Sequence, residues 1–153
     1  MLVNLHISQW AAKKHDKKAT AAAEAAFNTH DAGRFTKDLL ERESLKKITN
    51  IATSAYLWHR ENTLPWTQRG QCILPAANFL AYTAKMREFH AAFDKAADEF
   101  EVEYPALFQA APIRLNGMFN SAEYPHPSKV RAKFGFEVEV SPIPVSDDFR
   151  VAM

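Results

Sequence analysis

The sequence predicts an α+β fold, mainly α: a long antiparallel helical hairpin with a small terminal β-sheet. Two hydrophobic stripes and a pair of alternating segments carry that expectation. Phe79, Tyr82, Met86, Phe89, Phe93, Ala96 and Phe100 recur at spacings of 3 and 4, the stripe of one amphipathic helix. Leu45, Ile48, Ala52, Ala55 and His59 form a second such stripe, widened by Ile51 and Trp58. Near the termini, Val3, Leu5 and Ile7 alternate with Asn4 and His6, and Phe136, Val138 and Val140 alternate with Glu137 and Glu139. Period-two alternation is the mark of a half-buried strand. The chain of 153 residues, 47% apolar and 24% charged, is expected to form a single domain over residues 1–153, long enough to bury a core without disulfides or metals.

Taken in order, Leu2–Ile7 is a short strand. Ser8 is placed to cap a helix from Gln9, with Trp10 as its first large buried group. Lys13-Lys14-His15-Asp16-Lys17-Lys18 follows, and Ala19 to Phe27 has high helix propensity; the pattern allows one helix broken near Asp16 or two short ones. Asn28 to Phe35, with Thr29, Asp31 and Gly33, is a loop. Ser44 suits the cap of a helix from Leu45 to Glu61. Asn62-Thr63-Leu64-Pro65-Trp66 breaks it, and a connector to Gly70 leads to the long helix. That helix starts near Pro75, a residue suited to a first turn. Pro105 marks its end or a kink, because the residue before proline is pushed from helical geometry. Helical pattern resumes through Leu107, Phe108, Ala111, Leu115 and Met118, with a kink expected at Pro112 and an end at Gly117 or Asn120. Pro127 opens a short helix through Phe134. The Phe136–Val140 strand pairs with the Leu2–Ile7 strand. Pro142 and Pro144 favour an edge or loop, and Phe149 and Val151 suggest a last short strand.

The charge balance narrows the function. Net charge is +1, so the whole molecule is no electrostatic magnet for nucleic acid or membranes. Residues 1–60 carry ten Lys/Arg against six Asp/Glu, a balance of +4, and the remainder −3. The single Cys72 excludes an internal disulfide. No stretch approaches the ~20 apolar residues of a membrane span, and the N-terminus lacks the pattern of a secretion signal. A cytoplasmic protein with no membrane contact is expected.

Chemistry-bearing motifs are sparse. The histidines at 6, 15, 30, 59, 90 and 126 show no His-x-x-x-His spacing, and no cysteine pair accompanies them. No Gly-x-Gly-x-x-Gly, phosphate loop or Gly-x-Ser-x-Gly occurs. No catalytic residue, cofactor or metal is therefore expected, and the protein is read as non-enzymatic; a pocket bringing together His59, Cys72 and carboxylates would reverse that. His59 is read as an interior histidine bonded to the backbone. Asp98, Glu99, Glu101 and Glu103 are read as a solvated face at the end of the long helix.

Two surfaces remain. Lys13, Lys14, Lys17 and Lys18, with Lys46, Lys47, Arg34 and Lys37, compose a patch that would track a phosphate backbone, and Trp10 or Trp58 offers a ring for stacking on a base. Leu64, Pro65 and Trp66 form the most distinctive connector. Trp66 is either a lid over the helix ends or a partner anchor, given how often Trp is a hot spot. A second copy pairing along the Phe79–Phe100 stripe, giving a homo-oligomer, is the alternative to covering that stripe within one chain.

The run Ile73-Leu74-Pro75-Ala76-Ala77, the long helix, Glu103-Tyr104-Pro105-Ala106-Leu107, Arg114-Leu115-Asn116-Gly117-Met118-Phe119 and Glu123-Tyr124-Pro125, then Lys133-Phe134 and Phe136-Glu137-Val138, resemble an uncharacterised family of bacteriophage and mobile-element proteins. The resemblance spans roughly residues 40 to 140 and is carried by structural motifs. It implies a phage or prophage product acting in the host bacterial cytoplasm. The expected function is a non-catalytic accessory protein that binds a macromolecular partner, such as a host-defence or host-takeover target. The alternative is a nucleic-acid-binding replication or recombination factor.

Overall fold

The computed structural model describes residues 1–67 and 70–144. These fall into two compact units, and helices α2 and α3 contribute to both.

The first unit comprises Met1–Ser8, Ile48–Lys95 and the chain from Gly135. Strand β1 (Leu2–Ser8) lies within a four-stranded sheet of order β4-β5-β1-β6, with β4 Leu64–Pro65, β5 Cys72–Ile73 and β6 Gly135–Ser141. All its pairings are antiparallel. The expected pairing of the terminal strands is present, with Leu5 opposite Val138 and Ile7 opposite Phe136. Val3, Leu5 and Ile7 are buried and His6 is exposed, so the alternation reports the two faces of the sheet. The sheet buries Phe136 against Phe93, ring centroids 5.8 Å apart. Ile7 donates its backbone N–H to the Tyr56 hydroxyl at 2.8 Å.

The second unit comprises Gln9–Lys47 and Ala96–Phe134. It holds β2 (Lys13–His15) paired antiparallel with β3 (Thr36–Asp38), helix α1 (Lys17–Phe27) and helix α4 (Pro127–Val130). Its core includes Leu39, Leu40, Ala97, Phe100, Tyr104, Tyr124, Val130 and Phe134. Trp10 packs against Phe100 and Tyr104 at 6.5 and 5.9 Å. Tyr104 and Tyr124 donate their hydroxyls to the carbonyls of Pro125 and Leu39, both at 2.6 Å. Burial pushes the Tyr104 hydroxyl up to about 12, the Tyr124 hydroxyl adding to it.

Helix α2 (Glu43–Glu61) and helix α3 (Phe79–Leu115) form the antiparallel hairpin. His59 meets Tyr82 in the first unit, and Lys47 meets Glu99 in the second. Leu45, Ile48, Ala52, Ala55 and His59 are all buried. On α3, Tyr82, Met86, Phe93, Ala96 and Phe100 are buried, while Phe79 and Phe89 are half-buried.

Several expectations are corrected. No helix starts at Gln9. Ala12 adopts a positive φ of 51°, outside right-handed helical geometry, and the lysine run splits between β2 and α1. Asp16 is the cap, accepting from the Ala19 N–H at 2.9 Å. Helix α2 begins at Glu43, ahead of Ser44. Helix α3 does not stop at Pro105 but carries both Pro105 and Pro112 to Leu115. An interior proline costs ~3 kcal/mol; burial of Tyr104 and Ala111 in this stretch favours the helix against that cost. Asn116, at φ 51°, then ends the helix in the left-handed conformation that asparagine tolerates. The acidic residues thus lie mid-helix, where the end-of-helix dipole does not act. Asp98 pairs with Arg131 and Glu99 with Lys47, both at 2.8 Å. The connector after α2 contains the strands β4 and β5 rather than only loop. The strand expected at Phe149 and Val151 lies outside the described residues.

Candidate functional site

Leu64, Pro65 and Trp66 sit at one edge of the sheet. Leu64 pairs with Ile73 and Pro65 with Cys72, leaving β4 outermost. Proline lacks a donor and is tolerated on such an edge. The N–H groups of Trp66 and Thr67 both donate to the Gln71 carbonyl, at 3.1 and 3.2 Å. Thr63 ties the start of the hairpin to α2 through its hydroxyl, which donates to the His59 carbonyl at 2.8 Å. Leu64 is 59% and Trp66 47% exposed, and Pro65 is also exposed. All three are exposed at this edge, Trp66 with nearly half of its surface in solvent.

The lysines separate into two groups. Lys14, Lys17 and Lys18 line one cleft of about 750 Å³ together with Asp16, Lys37, Glu123 and residues 117–120. Lys13 is exposed on β2. Lys46 and Lys47 do not join that cleft: Lys46 pairs with Glu43 at 3.6 Å and Lys47 with Glu99 at 2.8 Å. Arg34 lines a different, more apolar groove beside Phe27 and Phe35. Lys37 is buried. Its ammonium contacts Glu123 Oε1 at 2.5 Å and donates to the Met118 carbonyl at 2.8 Å. Glu123 Oε1 is itself buried and rests on this charge contact rather than on an aligned hydrogen bond. Lys37 borders the cleft of Lys14, Lys17 and Lys18, but its charge is held by Glu123, so it is an internal strut rather than a free phosphate-tracking cation. Trp10 and Trp58 are half-buried against aromatic neighbours, Trp58 on Tyr82 and Phe89.

His59 and Tyr82 form the most buried pair of titratable groups in the first unit. His59 Nδ1 and Tyr82 Oη are 2.7 Å apart. His59 thus bonds a side chain where a backbone partner was expected. Burial lowers the His59 pKa, with the Arg60 charge adding to it. Burial raises the Tyr82 pKa, and the nearby Cys72 sulfur adds to that. Both shifts favour neutral forms, so the pair is a hydrogen bond between uncharged rings. Elsewhere His90 pairs with Asp94 at 3.1 Å and stacks on Phe136 at 5.1 Å, and His126 Nδ1 accepts the Ser128 N–H at the start of α4. Among the described residues no three His, Cys, Asp or Glu side chains are grouped to hold a metal, and no helix is long and apolar enough to cross a membrane.

A feature missed in the sequence lies at the opposite edge of the sheet. Among the described strands β6 is outermost there. A cleft of about 550 Å³ runs along it, walled by Tyr82, Met86, Arg87 and His90 of α3 and by residues 136–140 of β6. The alternation of Phe136 to Val140 marked the strand, but an edge position depends on strand order, which no local pattern encodes. No family model, curated protein or solved structure was found to match the chain.

Proposed function

We propose that this chain is a non-catalytic accessory protein that acts by binding a partner protein. The observation that supports this most directly is the exposure of Leu64, Pro65 and Trp66 in and just after edge strand β4. A tryptophan left nearly half in water gains by burial against a partner, and aromatic anchors of this kind dominate binding energies. On this reading the chain is a phage or mobile-element product, as the resemblance across residues 40 to 140 suggests, and it works on a host target in the bacterial cytoplasm. The test compares wild type with Trp66→Ala as bait in lysates of infected cells. The variant is expected to keep its denaturant midpoint and to lose a partner that wild type retains. Equal capture by both proteins, at equal stability, would refute the reading.

Nucleic-acid binding is the second reading, supported by the gathering of Lys14, Lys17 and Lys18 around one cleft. Three phosphate contacts predict a slope of log K on log salt of about −2.7 for duplex DNA. Retention on DNA at low and high salt, read alongside the mass in solution, tests both this and self-association. Salt-independent or absent retention removes this reading.

A further inference from the structure

The outer edge of β6 offers backbone groups in register with a shaped wall. Met1 and Ile7 direct their backbone groups away from β6: the Met1 carbonyl accepts from Leu74 N–H, and Ile7 N–H donates to Tyr56. Backbone direction alternates along a strand. The even residues of β1 therefore face β6, and their partners are Gly135, Glu137, Glu139 and Ser141. It follows that the N–H and C=O groups of Phe136, Val138 and Val140 point to the open edge, where no strand among the described residues pairs with them. The side chains of these same residues lie on the face shared with Val3, Leu5 and Ile7, which is the α3 side. Glu137 and Glu139 lie on the other face, exposed, opposite His6 and Asn4 of β1.

We propose that β6 accepts an extended segment of a partner protein as a fifth strand, and that this segment alternates apolar and basic residues. Residues of the segment opposite Phe136, Val138 and Val140 turn toward the cleft and meet Met86 and Tyr82, which favours apolar side chains; Arg87 on the same wall disfavours cations there. Residues opposite Glu137 and Glu139 meet two carboxylates on the other face, and opposite charges across a strand pair stabilise it. Main-chain bonds then supply affinity and the alternation supplies selectivity. A second copy of this chain is the wrong occupant. Antiparallel self-pairing centred on Val138 sets Glu137 against Glu139 twice, and a shift of two residues either way, the next register that keeps outward backbone groups paired, sets Glu137 or Glu139 against itself. Like charges placed opposite one another destabilise a sheet edge.

This inference adds a partner class to the partner-binding reading, but it uses the edge remote in strand order from Trp66, so each can fail alone. The probe is a capped Val-Lys-Val-Lys-Val peptide titrated into the intact isotope-labelled protein. Amide shifts are expected to centre on Phe136, Val138 and Val140. Three comparisons decide the matter. The Val-Glu-Val-Glu-Val peptide is expected to bind about tenfold more weakly, from two reversed cross-strand pairs. The Lys peptide N-methylated at its central valine is expected to lose binding, since it loses an edge donor. The Glu137→Lys/Glu139→Lys protein is expected to prefer the Glu peptide. Trp66→Ala is expected to leave all three results unchanged. Binding that survives N-methylation, an unchanged preference in the charge-reversed protein, or no binding of the Lys peptide at millimolar concentration would each overturn the proposal. A wild-type dimer that dissociates in the charge-reversed protein would overturn it in favour of a second copy.

Discussion

Replacing Lys37 by Met is expected to destabilise the protein by about 3–5 kcal/mol, the range for stripping one partner from a buried ion pair. Lys37 is 8% exposed and Glu123 14%. The methionine keeps much of the apolar stem but loses two contacts: the ammonium against Glu123 Oε1 at 2.5 Å, and the bond to the Met118 carbonyl at 2.8 Å. The unpaired carbonyl accounts for roughly 1–3 kcal/mol of the loss. The stranded carboxylate accounts for the rest, moderated by its small remaining access to water, so the lower end of the range is the expectation. At ~2–4 °C per kcal/mol for a chain of this size, the melting temperature should fall by roughly 10 °C. Urea unfolding followed by tryptophan fluorescence measures it, and at an m-value of ~2 kcal/mol/M the midpoint moves by about 1.5 M. The paired substitution Lys37→Met with Glu123→Leu should recover most of the loss, because an apolar pair of similar volume replaces a buried ion pair at little cost. A single-variant loss under about 1 kcal/mol, or a double variant less stable than the single, would refute the argument. Either result would return Lys37 to the surface cations that compose a phosphate-binding patch.

Other perturbations test the remaining buried groups and one turn. Because the folded state lowers the His59 pKa below the ordinary histidine value of 6.5, the unfolded chain takes up that proton first. Stability should therefore be full above pH 6.5 and decline as pH falls below it, by up to ~1.4 kcal/mol per pH unit until the folded pKa is passed. Urea midpoints at pH 7.5 and 5 should separate more in wild type than in His59→Gln. At the alkaline end, Tyr104 holds its proton up to about 12 against an ordinary tyrosine value of 10.0, so its contribution is complete below pH 10 and is lost as pH rises toward 12. Tyr104→Phe should flatten that limb while costing about 1 kcal/mol at neutral pH for the lost bond to the Pro125 carbonyl; tyrosinate absorbance during alkaline unfolding reports it. Gly70 has a φ of 89°, and a Cβ there would stand 3.3 Å from Asn4 Oδ1. Gly70→Ala should cost about 1–2 kcal/mol, whereas Gly33→Ala, with nothing within 4 Å of the new atom, should leave the urea midpoint nearly unchanged.

The parts of the fold legible in the sequence are those whose signal repeats along many residues. The stripe from Leu45 to His59 and the stripe from Tyr82 to Phe100 each span several turns, and burial follows them closely. The β1–β6 pair was legible because each strand is long enough, at seven residues, to show alternation. Strands β4 and β5, of two residues each, and β2 and β3, of three, are too short to carry a period. They exist because a partner strand satisfies their backbone groups, and for β5 (with β1) and for the β2–β3 pair that partner lies far along the chain. The same reasoning explains the reach of α3 through Pro105. A local rule allows an end or a kink there; the helix continues, with Tyr104 and Ala111 buried along it.

Candidate surfaces obey a stricter limit, because residue type states what a side chain can do but not where its charge is spent. The lysines at 14, 17, 18, 37, 46 and 47 are equivalent in sequence terms. Packing turns Lys37 inward to Glu123, binds Lys46 and Lys47 to Glu43 and Glu99, and leaves Lys14, Lys17 and Lys18 around one cleft. An exposed ion pair contributes only ~0–1 kcal/mol, so Lys46 and Lys47 are held loosely enough for a polyanion to compete for them, whereas Lys37 is not. Discrimination between the two readings of this basic half therefore rests on variants of Lys14, Lys17 and Lys18. Their loss should reduce the salt slope by about 0.9 for each phosphate contact removed and leave the urea midpoint in place. A change in stability with no change in slope would mean that these lysines, like Lys37, serve the fold.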